Sequence, residues 1–289
     1  LPAYAEEIVS VEMDSEQAEA YRYVEKPLVG AIKAMLRKND RRLLGAMLNC
    51  LLCYPDYPFD WDQIGYYERG EGGGNGCWIN VVTPPDIGKE IRPKEQQLLK
   101  IVKAERAARR QVWVYVQYTN KHDVLGRLAE LCKEAGFRTG TLRASVLLPK
   151  REEWIARHAP GKDVILSHPQ LVETGLDLFD KGGRHNFPTL VFYETGYNTF
   201  TLRQAARRAW RLAQTLPCKV FYLAYNKTMQ ERALTLMGKK IAASMAIEGQ
   251  FTTEGLAAMA GEEGEIQMAL ARSLAEHIDE GDAKRAWSK

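Results

Sequence analysis

The sequence predicts an α/β fold built on a parallel sheet with helices on both faces. Three observations carry this. Short runs rich in β-branched and aromatic residues recur, among them Val112–Tyr118 (VWVYVQY), Thr189–Glu194 (TLVFYE) and Lys219–Tyr225 (KVFYLAY). The stretches between them space their apolar residues at helical intervals. The two patterns alternate through the middle of the chain. A strand covered on both faces is apolar at successive positions, and parallel neighbours need a crossover between them. Such alternation therefore implies a doubly covered parallel sheet. With 289 residues, 45% of them hydrophobic and 27% charged, the chain has material for a substantial core.

The elements follow in order. Glu7–Met13 reads as a short strand, Gln17–Leu36 as a helix and Arg41–Cys53 as a second helical stretch. A loop region rich in Pro, Gly and aromatics follows, with Gly70–Gly76 (GEGGGNG) flexible and Thr83–Pro85 as a boundary. The Lys103–Arg110 charge run reads as a solvated helix face. After the strand Val112–Tyr118, Asp123–Ala135 places Val124, Leu128, Leu131 and Ala135 on one helix face, and Gly136 ends it. Thr139–Ala144 is a strand and Pro149–His158 a helix with proline in its first turn. Val164–Ser167 and Thr189–Glu194 are strands, Phe200–Ala213 a helix, Lys219–Tyr225 a strand and Met229–Ala246 a long helix. Residues 251–289, rich in Ala and Glu, read as a helical tail. This divides the chain into 1–92, 93–250 and 251–289. In open parallel sheets ligands gather beyond the carboxyl ends of the strands, so the residues just after each strand are the first to consider.

A formal net charge of +3 is compatible with nucleic acid without arguing for it. Cys50, Cys53, Cys77, Cys132 and Cys218 are odd in number and scattered, which does not read as a disulfide framework. A reducing interior is expected, cytoplasmic or nucleoid-associated. Cys50 and Cys53, inside an apolar helical stretch, read as buried thiols rather than as a zinc site with Cys77, since no histidine precedes His122 to complete the set. No apolar run reaches membrane-spanning length. A start at Leu1 rather than Met reads as a fragment of a longer protein.

Three segments carry chemistry. In Gln204–Gln214 (QAARRAWRLAQ), Gln204, Arg208 and Arg211 fall at i, i+4 and i+7, one face of a helix, while Ala205, Ala209 and Leu212 share an apolar face. Guanidinium groups fork onto phosphate oxygens, so two in line suit an arginine-finger site, and a solvated basic face is the competing reading. In Ile165–Phe179 a strand runs into Glu173-Thr174-Gly175-Leu176-Asp177. There a glycine admits close backbone approach, a hydroxyl suits a phosphate and a carboxylate suits a ribose; a plain turn with a capping Asp is the alternative. After Val114–Val116, the residues Gln117, Tyr118 and Thr119 stand at a strand's carboxyl end.

Together and in this order, the segments resemble motifs IV, V and VI of superfamily-two helicases, most closely those of Swi/Snf-type ATPases. Gln204-Ala205, Arg208, Arg211 and Gln214 match motif VI, with Trp210 where the family often has His and Ala213 where it often has Gly. His168 and Pro169 depart from the usual motif V. Leu142–Arg151 matches the next segment after motif IV at Ser145 and Arg151, and Pro93-Lys94-Glu95 resembles the lysine-led helix before it. The resemblance runs from about residue 1 to 249 and implies a RecA-like C-terminal helicase domain, with a helical N-terminal extension and a helical tail. It implies arginine fingers at Arg208 and Arg211 beside Gln204, and nucleotide contacts at Gly175, Asp177 and Gln214. Nucleic-acid contacts would fall at Gln117, Tyr118, Thr119, Ser145 and Thr174. The partners it implies are DNA or RNA, double-stranded DNA being favoured, and an N-terminal RecA-like domain of the same protein.

The sequence contains no G-x-x-x-x-G-K-[ST] and no strand ending in a convincing Asp-Glu pair. ATP and Mg2+ are therefore expected to be held mainly by the N-terminal domain, and this chain alone to be inactive. A non-catalytic RecA-like scaffold that kept the fold is the alternative.

Overall fold

The computed structural model describes residues 1–37, 44–68, 77–172, 176–180, 182–196, 198–248 and 268–271. The chain opens with β1 (Tyr4–Val11), α1 (Ser15–Arg37) and α2 (Leu44–Cys53). An antiparallel hairpin of β2 (Ile64–Glu68) and β3 (Cys77–Val82) follows. Then come α3 (Pro93–Ala107), β4 (Val112–Tyr115), α4 (Val124–Glu134), β5 (Thr139–Leu142), α5 (Arg151–His158) and β6 (Val164–Ser167). The last elements are β7 (Thr189–Phe192), α6 (Thr199–Ala206), β8 (Cys218–Tyr225) and α7 (Met229–Glu248).

All six strands of the main sheet are parallel, in the order β1-β8-β7-β4-β6-β5. Alternate residues of β4 separate two cores. Trp113 and Tyr115 join Ile155, Leu202, Ala205, Leu234 and Met237 on one face. Val112, Val114 and Val116 join Leu98, Val102, Leu125 and Leu128 on the other. The expected RecA-like sheet with helices on both faces is thus present. β1, from the 1–92 segment, is hydrogen-bonded to β8 along its whole length. Residues 268–271 are helical, with Leu270 and Ala271 buried in a third cluster made by α1, α2 and the start of α7.

The register aligns the strand ends. Leu142, Ser167, Tyr115, Phe192, Tyr222 and Ile8 form one row across the sheet. β1 and β8 continue three residues past that row, roughly 10 Å, and stand as a wall beside the shorter strands.

The third cluster is tied to the sheet by buried charge. Lys94, in the first turn of α3, is fully buried and its ammonium donates to both oxygens of Asp56 (3.0 and 2.9 Å) and to Gln230 of α7 (2.9 Å). It lies 4.4 Å over the Tyr193 ring. Pro93 opens α3 and Glu95 caps it by accepting the Arg92 backbone N–H (2.8 Å).

Several expectations shift. Within the region read as loop, residues 64–68 and 77–82 form a hairpin, because Tyr66, Tyr67, Trp78, Val81 and Val82 are β-forming and flank a glycine-rich connection. That connection, Gly70–Gly76, lies outside the described residues. Arg110 is not solvated: its guanidinium reaches Glu105 (2.5 Å), Thr189 Oγ1 (3.0 Å) and the Pro217 carbonyl (2.8 Å). Cys50, Cys53, Cys132 and Cys218 are buried free thiols and Cys77 is exposed on β3. Among the described residues no group of His, Cys, Asp or Glu converges on a metal position, and no helix is long and apolar enough to cross a membrane.

Candidate nucleic-acid and nucleotide interface

Beyond β4 the chain turns sharply at Gln117 and Tyr118, and one buried carboxylate fixes the turn. Glu194 follows β7, and its Oε2 accepts the backbone N–H of both Gln117 and Tyr118 (2.9 Å each). Its burial, with the Asp56 charge adding and the two amides opposing, pushes its carboxyl well above the usual carboxylate range. Gly196 then passes close: its φ is +60°, and a Cβ there would lie 3.2 Å from the Gln117 carboxamide. Asn198 caps α6 by accepting the Thr201 N–H (3.0 Å). Between these groups and Gln170 lies an open cavity of 160 Å³. It sits at the carboxyl edge of β4, β6 and β7, the place the topology favours for a ligand.

The expected contact residues that fall among those described each have a place. Gln117 lines the cavity. Tyr118 also lines it, packs against the α1–α2 cluster and donates its hydroxyl to the Asn49 carbonyl (3.4 Å). Thr119 follows, half-buried. Ser145 is exposed in the turn after β5, next to the Val146–Arg143 backbone bond (3.0 Å). Arg151 is a strap, donating to the carbonyls of Val146 (3.2 Å) and Leu171 (3.1 Å). His168 is largely buried, which depresses its pKa to about 4, so it is neutral at physiological pH and accepts the Gln170 N–H (3.2 Å). Thr174 and Gly175 lie outside the described residues.

The arginine segment departs from expectation. Helix α6 stops at Ala206, and 207–214 run on through turns rather than continuing to Ala213. Gln204, half-buried, is on the helix; Arg208 and Arg211 are beyond it. The cause is competition for carbonyls. The Ala205 oxygen, which a longer helix would offer to Ala209, accepts instead from the Arg208 N–H (3.2 Å) and the Tyr115 hydroxyl (3.3 Å). The Ala209 oxygen accepts from Gln214 Nε2 (3.3 Å) and Cys218 Sγ (3.4 Å). Leu212, expected to pack on the sheet, is 90% exposed.

A different i, i+4, i+7 set is used for packing. Arg203, Arg207 and Trp210 meet β1: Arg203 pairs with Glu6 (3.0 Å), Arg207 lies over the Tyr4 and Trp210 rings, and the Trp210 indole donates to the Pro2 carbonyl (2.8 Å). Trp210 therefore has an anchoring contact of its own. With it held, Arg208 turns inward, nearly buried, its charge acting on the Tyr115 hydroxyl. Arg211 turns outward and meets Asp177 at 3.9 Å, the two side chains 44% and 59% exposed. The Gln214 carboxamide is engaged reciprocally with Asn186 (2.9 and 2.8 Å). Asn186 is held in turn by Gln111, just ahead of β4, so this segment extends toward the amino edge of the sheet, away from the cavity. Gln117, Tyr118 and Thr119 lie at the strand tips, and Arg208 and Arg211 lie beyond α6.

Glu194 was not among the residues singled out from sequence. Its signal was present: a carboxylate that ends a wholly apolar strand run must be held by donors.

No protein-family model matches the chain. Solved structures do. The chain is similar to the C-terminal part of the Fun30 ATPase domain, with a TM-score of 0.64 and 14% identity over 96% of this chain and 98% of that one. It is also similar to the Sulfolobus solfataricus SWI2/SNF2 ATPase core in complex with double-stranded DNA, with a TM-score of 0.58 and 15% identity over 97% of this chain. It spans about half (51%) of the length of that core. Over almost its whole length, the chain has the fold of the C-terminal part of the Fun30 ATPase domain, in keeping with the RecA-like fold expected from the sequence.

Proposed function

We propose that this chain is the C-terminal motor domain of an ATP-dependent, double-stranded-DNA translocase or helicase. The observation that carries the reading is the meeting of Arg211 and Asp177. They come from two separately recognised motifs and form one accessible pair on a fold similar to that of the C-terminal part of an ATPase domain. An exposed pair of this kind is worth about 0–1 kcal/mol, so it opens at little cost when a more highly charged partner arrives. That partner is the γ-phosphate of ATP bound on an N-terminal RecA-like domain. Arg211 meets it across the cleft, and Arg208, nearly buried in the domain alone, swings out with the segment after α6 when the cleft closes and, beside Gln204, completes the charge that stabilises phosphoryl transfer. Asp177 faces the nucleotide, with Gln214 holding the arginine segment in place, and the family resemblance assigns Gly175 to the same role.

Among the described residues no three His, Cys, Asp or Glu side chains converge, and the magnesium that accompanies ATP is assigned to the N-terminal domain. The Gln117–Thr119 turn and Ser145 face the backbone of one nucleic-acid strand, a role the family resemblance also assigns to Thr174. Backbone contact implies weak sequence preference and steep salt dependence.

The test joins this chain to its N-terminal RecA-like domain and measures DNA-stimulated ATP hydrolysis. Arg208→Ala and Arg211→Ala are expected to lower kcat by on the order of 10³-fold or more. Unchanged rates in both variants would refute the finger assignment. A reunited protein without ATPase activity would identify a non-catalytic scaffold.

A further inference from the structure

Helix α1 carries a second basic surface that the strand-tip site does not use. Its buried side is Gln17, Ala20, Tyr21, Val24, Leu28, Ile32 and Met35. On the opposite side Arg22, Lys26, Lys33 and Arg37 follow at intervals of four, seven and four, one narrow stripe on a helix. The one acid between residues 22 and 37 is Glu25. An open groove of 460 Å³ runs along α1 beside the start of α7, lined by Arg22, Glu25, Lys26, Gly30, Lys33 and Arg232.

This surface opposes its own helix. Arg22–Lys26 and Lys33–Arg37 are like-charge pairs at i, i+4, which destabilise. Gly30 sits mid-helix, where glycine is among the least favourable residues, yet a Cβ there would meet nothing within 4 Å. Among the described residues no packing requirement explains the glycine. Local choices that work against an element without a packing reason are the ones expected at ligand sites.

The groove also has a suitable position. α1 follows β1 and α7 follows β8, so both walls begin at the carboxyl edge of the sheet, and the Tyr21 hydroxyl accepts the Met229 N–H (2.9 Å) where they meet. The Gln117–Thr119 turn opens on the same edge.

We infer that this groove holds the phosphate backbone of a DNA duplex, at a distance from the strand-tip contacts and in addition to them. The inference rests on the nucleic-acid reading above. Among the described lining residues four cations face one carboxylate. The stripe from Arg22 to Arg37 rises about 22 Å, roughly six base-pair steps of 3.4 Å. Ammonium and guanidinium groups spread along one stripe suit a diffuse polyanion, and Val29 is the one large apolar side chain in the lining, which leaves an acidic peptide little to anchor on.

The test measures fluorescence anisotropy of a labelled 30-bp duplex with the whole chain across a salt series. In Arg22→Gln/Lys26→Gln/Lys33→Gln the slope of log K against log salt is expected to become shallower by about 2 to 3, with affinity reduced on the order of 10- to 100-fold. Gly30→Leu, which keeps every charge but fills the groove, weakens binding in the same direction. Thermal unfolding of the triple variant stays level or rises, since like-charge repulsion is removed. If the wild type binds with a steep slope and the triple variant keeps it, the groove is idle and the proposal fails while the nucleic-acid reading stands. If the variant loses only binding to a polyglutamate peptide, the groove serves an acidic protein and the proposal again fails. If the wild type shows no salt-dependent duplex binding, both readings fall.

Discussion

Replacing Lys94 with methionine isolates the buried charge that joins α3 to the α1–α2 cluster. The ammonium makes three hydrogen bonds of 2.9–3.0 Å, two of them to Asp56, and both residues are fully buried. Methionine keeps the stem volume and removes the charge. Asp56 then retains Gln230 Nε2 (2.7 Å) but no cation, with Glu194 adding a second buried carboxylate nearby. Breaking a buried pair on one side costs about 3–5 kcal/mol. At about 2–4 °C per kcal/mol for a domain of this size, the midpoint falls on the order of 10 °C. The sign with pH is distinctive. Burial already raises the Asp56 pKa, against the Lys94 charge that lowers it. Without lysine the folded state holds a proton on Asp56 that the unfolded chain releases, so the variant loses stability as pH rises above the normal aspartate range. Urea unfolding at pH 5 and pH 7.5 reads this directly, and Lys94→Met/Asp56→Leu is expected to recover most of the loss. A single variant within about 1 kcal/mol of wild type at pH 7.5, with no pH slope, would refute the assignment.

Three further outcomes are expected. Glu194→Leu removes the acceptor for two amides and lowers duplex affinity several-fold, whereas Glu194→Gln, which keeps one carbonyl oxygen, does not; equal binding by both variants and the wild type in anisotropy titrations would show that the turn needs no such support. Trp210→Ala frees the segment after α6 and costs about 3 kcal/mol or more from lost aromatic packing, read by thermal unfolding; a midpoint unchanged within error would show the anchor to be idle. His168, with a folded pKa near 4 against about 6.5 unfolded, disfavours its charged form in the fold. Stability from this group is full above pH 6.5 and falls by up to about 3 kcal/mol as pH drops to 4; His168→Asn should flatten that limb in pH-dependent unfolding.

The sheet was legible because its strands are buried on both faces, so Val112–Tyr115, Val164–Ser167 and Thr189–Phe192 stand out as unbroken apolar runs. Helix α4 was legible from Asp123 at its start and Gly136 after its end. The end of α6 was not, because nothing local stops it. Residues 207–213 are ordinary helix formers, and tertiary partners at Tyr115, Cys218 and Pro2 decide the outcome. Arg208 and Arg211, expected on one face of a helix, lie beyond its end, and their relative direction depends on that unwinding. Glu194 and Lys94 share this limit. A charge in an apolar setting is visible in sequence, while the partner that justifies it is 38 residues away for Lys94 and 77 for the Gln117 amide.

The grip of Arg203, Arg207 and Trp210 on Glu6, Tyr4 and Pro2 makes β1 a mechanical element. Tyr4 and Glu6 alternate along β1 and so face the same way, and Pro2 lies two residues ahead of the strand. Tension applied at Leu1 runs along a parallel strand and loads its hydrogen bonds to β8 in shear, all at once. The same tension reaches Trp210 first, one residue from Arg211 and two from Arg208. Displacement of the chain's first residues is thereby transmitted to the arginine segment before the sheet yields.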